Sequence, residues 1–171
     1  MTMTLSTIAN TAIDQMFRGL DGVLEIGAAA AKAKEVEQSV YLGWRMAPDM
    51  LPLARQVMIA TEFPARGLSR LAGAELPSFA DDEATFEALR ARISKAQAFI
   101  KDLSADAIDA DPDGSITFPA GPDREMTLPR GAFLQNVVLS NLYFHVTAAY
   151  IILRHLGVDL GKADFLAVPK V

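Results

Sequence analysis

The feature that most constrains the fold of this chain is a long stretch without fixed charge near its C-terminal end. No residue from Gly131 to Leu153 is Asp, Glu, Lys or Arg. A helix so apolar must be buried on most sides or lie in a lipid bilayer. Gln135, Asn141 and His145 interrupt the stretch, and each would cost free energy in lipid. We therefore interpret it as the buried helix of a bundle and expect no membrane association.

Three earlier segments have the three-to-four spacing of apolar residues that indicates an amphipathic helix. We expect these helices over residues 5–34, 49–72 and 81–103, and the uncharged helix over residues 133–156. Polar residues near the starts and glycines near the ends predict the caps. The expected caps are Ser6 or Thr7 and Asp49 at the starts, and Gly73 and Gly157 at the ends. The third helix is expected to start near Asp81 or Asp82, whose negative charges suit a helix N-terminus. Pro64 predicts a kink in the second helix.

Residues 109–129 change in character and predict a β-hairpin. Two short alternating runs, Ser115–Phe118 and Glu125–Leu128, flank a loop rich in proline and glycine. The sequence therefore predicts an all-α fold, a four-helix bundle with a small β-hairpin between the third and fourth helices. We expect one domain over residues 1–171, in which the long third connection can cross the bundle.

Composition excludes several classes of function. Acidic residues outnumber basic ones, 21 to 16, and no basic cluster occurs, so we expect no nucleic-acid partner. The absence of cysteine excludes disulfides, thiolate nucleophiles and cysteine-ligated metals. The N-terminal segment lacks the pattern of a secretory leader, and we expect a cytoplasmic protein.

His145 is the candidate catalytic residue, because an imidazole buried in an apolar helix can act as acid or base. Asn141 lies four residues earlier, on the same helix face, and is a candidate ligand-binding residue. The alternative is a core histidine whose hydrogen bonds are satisfied within the fold.

A second candidate group surrounds the start of the second helix. Arg45, Asp49 and Gln56 are candidate ligand-binding residues there, since an arginine fork with polar neighbours can hold a carboxylate or phosphate. The alternative is internal pairing, in which Asp49 caps the helix and Arg45 or Arg55 pairs with an acidic neighbour.

The histidine spacing predicts no metal site. His155 lies ten residues beyond His145, about 15 Å along a helix axis, so the two cannot share one ion. Any metal would need His145 with carboxylates such as Asp49 or Glu62, while His155 suits the C-terminal end of its helix. We predict no cofactor, with a divalent metal as the alternative.

Two segments, residues 45–57 and 141–165, together with the string Leu76-Pro-Ser-Phe79, resemble a bacterial domain-of-unknown-function family in the DinB-like superfamily. The resemblance extends over nearly the whole chain. It implies the DinB-like four-helix bundle, often dimeric, and no known activity.

The wider superfamily is known for a divalent metal held by three histidines, one on the second helix and two on the fourth. Some of its members are thiol-dependent transferases or isomerases. This sequence has no histidine on its second helix, and His145 is the one inward-facing histidine expected on the fourth. The resemblance therefore carries over His145 alone and implies no three-histidine site.

We accordingly expect an uncharacterised DinB-like protein, a homodimer with a small-molecule cleft near His145, Asn141 and Asp49. One alternative is a thiol- or metal-dependent transferase that uses His145 with carboxylates. Another is a structural or interaction protein without catalysis, whose fourth helix lies in a dimer interface.

Overall fold

A computed structural model describes residues 3–168 and shows a bundle in which four helices are long. The elements follow in the order α1 (Leu5–Ala33), α2 (Gln38–Leu42), α3 (Leu53–Ala72), α4 (Phe86–Asp102), α5 (Ala105–Asp109), β1 (Ser115–Pro119), β2 (Glu125–Pro129), α6 (Arg130–Phe133), a π-helical segment (Leu134–Leu139), α7 (Ser140–His155) and α8 (Lys162–Phe165). The elements from α6 to α7 run without a break and form the fourth long helix. The predicted all-α bundle with a hairpin before its last helix is confirmed.

The long helices are arranged so that α1 and α3 lie at opposite corners. α1 packs mainly on α4 and α7, and α3 packs mainly on the same two helices. The core between them is apolar and is filled from α1 by Ile13, Phe17, Leu20 and Leu24. Because α4 and α7 are also at opposite corners, the connection between them crosses the bundle, as its length predicts.

The cap of α1 differs from the prediction. Thr4 is the N-cap residue, and its hydroxyl accepts the Thr7 N–H. Ser6 lies inside the first turn, where its backbone N–H and its hydroxyl donate to the Asp109 carboxylate over 2.9 and 2.6 Å. Ser6 and Thr7 are therefore not the caps, because Ser6 is held by a residue distant in sequence.

α3 begins later than predicted, and Asp49 does not cap it. Pro52 is the N-cap residue, and the Leu53 N–H donates to the Trp44 carbonyl oxygen over 2.9 Å. The first amide is therefore satisfied by the preceding connection and needs no carboxylate. At the other end Gly73 has a φ of 64°, as expected for a helix terminator, and the helix continues past the buried Pro64.

α4 also begins later than predicted. Thr85 is the N-cap residue, and its hydroxyl accepts the Ala88 N–H over 3.1 Å. Asp81 and Asp82 lie in the preceding connection. The buried Arg92 guanidinium on α4 lies 3.2 Å from the Asp81 carboxylate, so an ion pair holds Asp81 away from the helix terminus.

The predicted hairpin is confirmed. β1 and β2 pair antiparallel, and the hydroxyls of Thr117 and Thr127 meet across the strands at 2.7 Å. Phe118 on β1 is buried and packs on Phe133, with ring centroids 4.9 Å apart. The hairpin is thereby attached to the start of the last long helix.

The last long helix, Arg130–His155, is long and apolar enough to cross a membrane by length and composition. Half of its most apolar window is buried inside the bundle, which identifies it as a core helix. It begins at Arg130, earlier than predicted, and Gly157 follows its end with a φ of 73°, as expected.

Candidate functional site

His145 projects from α7 toward α3 and is buried, with 8% of its surface exposed. Its Nδ1 lies 2.7 Å from the Gln56 Oε1 atom. The Gln56 Nε2 atom donates to the Leu51 carbonyl oxygen over 2.9 Å, which fixes the orientation of the amide. Oε1 must therefore accept from His145, so the network assigns the proton to Nδ1 and leaves a lone pair on Nε2.

Aromatic rings surround the imidazole. The Phe144 ring meets it edge-on with centroids 5.1 Å apart, and the Phe63 ring lies 6.5 Å away. Burial among such groups lowers the pKa of His145 from its ordinary value of 6.5. In the part of the chain that the structure describes, no carboxylate bonds to the ring. The side chain is therefore a neutral imidazole, which can accept a proton or ligate a metal through Nε2.

Asn141 is on the same helix but does not contact His145 by a hydrogen bond. Its Nδ2 atom donates to the Val137 carbonyl oxygen over 2.7 Å, and the Ser140 hydroxyl donates to the Gln135 carbonyl oxygen over 2.9 Å. Both acceptors lie in the π-helical segment, where the widened turn disturbs the α-helical bonding. Asn141 thus supports its own backbone at the junction with α7.

The residues predicted around the start of the second helix are only partly brought together. Gln56 contacts His145, while Arg45 and Asp49 are exposed in the connection that precedes α3. Over residues 3–168 neither Arg45 nor Asp49 forms an ion pair or a side-chain hydrogen bond. Arg55 pairs with Asp81 at 2.7 Å. The structure therefore joins Gln56 to His145 but forms no arginine fork beside them.

Metal ligands do not converge in the described residues 3–168, where no group of three or more His, Asp or Glu residues could hold an ion. Glu62, a predicted alternative ligand, pairs with Arg66 at 2.9 Å. His155 stacks on Trp44, with ring centroids 5.7 Å apart. The residue that faces His145 from α3 is Gln56, an amide instead of a histidine.

An exposed apolar surface lies beside the His145 site. We call it the α7 face and define it by five large side chains that are 40–59% exposed: Trp44, Met46, Tyr143, Phe144 and Ile151. A groove of about 330 Å³ runs along it. Its lining consists of four of these five side chains, all but Trp44, together with Met50, Thr147 and Ala148. Phe144 joins the two features, because it borders the groove and contacts the His145 ring.

A second concave site lies between α3, the hairpin and the π-helical segment. We call it the α3–hairpin cavity; its volume is about 300 Å³, and its lining includes Phe63, Arg66, Arg70 and Phe118. No sequence motif marks these residues as a site. The sequence feature that could have indicated them is the four-residue spacing of Glu62, Arg66 and Arg70, which places three charges along one side of α3.

The bundle with a hairpin before its last helix defines the DinB-like class. A crystal structure of a DinB family member protein from Shewanella denitrificans superposes with a TM-score of 0.87 and 31% sequence identity. The match covers 98% of this chain and 94% of that protein. No curated protein matches the chain. The profile of a domain of unknown function, DUF1993, matches residues 5–166, and the chain belongs to that family.

Proposed function

We propose that this protein is a homodimeric, DinB-like small-molecule-binding protein in which the α7-face groove is the cleft and a second copy closes it. One observation carries the proposal, namely that large apolar side chains surround this groove and remain 40–59% exposed. Aromatic and methionine side chains of this kind are typical of the centre of a protein–protein interface. A second copy is the partner that removes the whole surface from water.

Charge favours a second copy in this position. The chain has a net charge of −5, so two copies repel each other over most of their surfaces. The groove is lined without any charged residue, and contact there brings no like charges together. A two-fold axis would set the same face against itself, which is the commonest arrangement in homo-oligomers.

The lining of the groove indicates a neutral, largely apolar ligand. Met46 and Met50 form one wall, and the connection that carries them also carries Arg45 and Asp49. We propose that Arg45 and Asp49, together with Asn141, contact the polar end of the ligand. His145 supports the groove through Phe144, and no three-histidine metal centre is needed for binding.

Light scattering at several protein concentrations tests the dimer. We expect the parent chain to be a dimer and Phe144→Lys to be a monomer, because a charge at the centre of the face would be buried without a partner. Ala91→Lys adds the same charge at an exposed position of α4, a helix that packs on α1 and α3, and should stay dimeric. A parent chain that is monomeric at every concentration would refute the proposal.

Binding of a neutral apolar dye such as Nile red tests the cleft. We expect saturable binding by the parent and by Ala91→Lys, and weaker binding by Thr147→Trp, which fills the groove. A dimer that binds no dye would instead support a structural or interaction protein.

Metal analysis of protein purified without a chelator tests the other alternative. About one divalent ion per chain, lost in a His145→Ala variant, would support the thiol- or metal-dependent transferase that uses His145 with carboxylates.

We propose that the protein is cytoplasmic, and cell fractionation tests that expectation.

A further inference from the structure

The α3–hairpin cavity has aromatic walls. The rings of Phe118 and Phe133 contact each other in its lining at a tilt of 53°, with centroids 4.9 Å apart, and both side chains are buried. Phe63 contributes a third ring from α3. A pocket of this kind favours a flat or branched apolar group, because such a group displaces water and packs against the ring faces.

The same cavity contains a positive charge without a partner. Glu62, Arg66 and Arg70 are four residues apart on α3, and all three line the cavity. Arg66 is paired with Glu62 at 2.9 Å. Within residues 3–168, the half-buried Arg70 guanidinium forms no hydrogen bond and no ion pair. One net positive charge therefore faces the cavity, although the chain as a whole is acidic.

The backbone beside the cavity is irregular. Val137 and Val138 reach the lining from the π-helical segment, a kind of widened turn that occurs frequently at functional sites. Gly67 on α3 faces Val138 so closely that a Cβ atom there would lie 2.5 Å from its Cγ2 atom. The two helices thus meet tightly at Gly67, and the cavity opens next to that contact.

We propose that the α3–hairpin cavity is a binding site for a small aromatic carboxylate, with the ring among the phenylalanines and the carboxylate on Arg70. A guanidinium offers two parallel N–H donors that match the two oxygens of a carboxylate. A cavity of about 300 Å³ lies at the lower end of the size range of small-ligand sites, which suits a compact ligand. This site is separate from the α7-face groove and does not depend on the proposed dimer.

Calorimetric titration of the full chain with 2-naphthoate and with the neutral 2-naphthamide tests the charge requirement without any substitution. We expect saturable binding of one naphthoate per chain and at least about tenfold weaker binding of the amide, which cannot form the charged pair. Equal affinities for the two compounds, or no binding of naphthoate, would overturn the proposal.

Two arginine variants then locate the site. Arg70→Met should weaken naphthoate binding by about tenfold or more, and Arg70→Lys should restore part of the affinity, because it keeps the charge but loses the fork. Arg18→Met is the matched control, since it removes one exposed arginine from α1, and its affinity should equal that of the parent. Naphthoate binding that responds to Arg18→Met as strongly as to Arg70→Met would place the anion elsewhere and refute the assignment.

Discussion

Replacing Gly67 by alanine tests the tight contact between α3 and the π-helical segment. A Cβ atom at this position would lie 2.5 Å from Cγ2 and 3.1 Å from Cγ1 of Val138. Carbon atoms prefer separations of about 3.5–4.0 Å, so both contacts are repulsive. Val138 is fully buried, and a β-branched side chain in a helix has one strongly preferred χ1 rotamer. It cannot rotate away, and the backbones must separate.

Two effects of opposite sign set the size of the change. Alanine is favoured over glycine in a helix interior by about 1 kcal/mol. Overpacking of a buried contact costs about 1–3 kcal/mol, and a 2.5 Å approach to a stiff side chain belongs at the upper end of that range. We therefore expect Gly67→Ala to lower the free energy of unfolding by about 2 kcal/mol.

Urea unfolding followed by circular dichroism measures this change, and Gly22→Ala is the matched control. Gly22 also lies inside a long helix, α1, but a Cβ atom there meets nothing within 4 Å. The control should be stabilised by up to about 1 kcal/mol, because only the helix preference acts. The two glycine substitutions should therefore change stability in opposite directions.

A double variant separates the contact from any other effect of the substitution. Val138→Ala removes two buried methyl groups and should cost about 2 kcal/mol by itself. In the Gly67→Ala, Val138→Ala chain the new Cβ atom occupies part of the vacated space and the overpacking is removed, so the loss should be about 3 kcal/mol smaller than the sum. Additive losses, or a Gly67→Ala chain as stable as Gly22→Ala, would refute the tight packing.

Three further predictions concern polar groups that are buried or half-buried. Burial lowers the pKa of His145 below 6.5, so only the unfolded chain gains its proton as pH falls through that value. Stability of the parent should then fall below pH 6.5 by up to about 1.4 kcal/mol per unit more steeply than that of His145→Phe; parallel urea curves at pH 7.5 and 5.5 would contradict this. Burial opposes ionisation of Asp109, but hydrogen bonds from Ser6, Thr4 and Leu5 together outweigh it and lower the pKa below 3.8. Asp109→Asn should therefore cost about 1 kcal/mol at pH 7, and the difference should shrink as pH falls below 3.8; thermal melts that show a constant difference would count against it. Arg92→Met should cost about 3 kcal/mol, because it leaves the Glu83 carboxylate without its partner at 2.9 Å, and unchanged chemical denaturation would rule out that role.

The helices could be predicted from the sequence because their apolar spacing is a local property. The terminators Gly73 and Gly157 were also predicted correctly, but the residues at the helix starts were not, since some of them bind partners that are distant in sequence. Ser6 resembles a cap by its type and position, yet it is bound to Asp109. Asp81 would suit a helix start, yet it pairs with Arg92 and Arg55. A capping rule based on residue type and position therefore names the wrong residue where the polar side chain is bound to a residue elsewhere in the chain.

Two residues that meet in the structure, His145 and Gln56, could be named from the sequence, but their contact could not be predicted. The sequence indicated that His145 is buried and named Gln56, and the structure joins them at 2.7 Å. Their pairing depends on how α3 and α7 are set against each other, which no spacing within either helix determines. Asn141 shows the opposite case, because the irregular backbone that it supports has no recognisable sequence pattern.

The α7 face is exposed because the last long helix is apolar on more sides than the bundle covers. An amphipathic helix buries one face and exposes a polar one, but the last long helix has no charged residue between Arg130 and Arg154 and few polar ones to expose. Packing on α1 and α3 covers only two of its sides, so an apolar side must remain at the surface. The sequence predicts that such a side exists, and the bundle decides that Tyr143, Phe144 and Ile151 form it. The α3–hairpin cavity differs because Arg70 in its lining pairs with nothing in the described residues. We therefore expect the two surfaces to prefer ligands of different charge, and the two proposals can be tested independently.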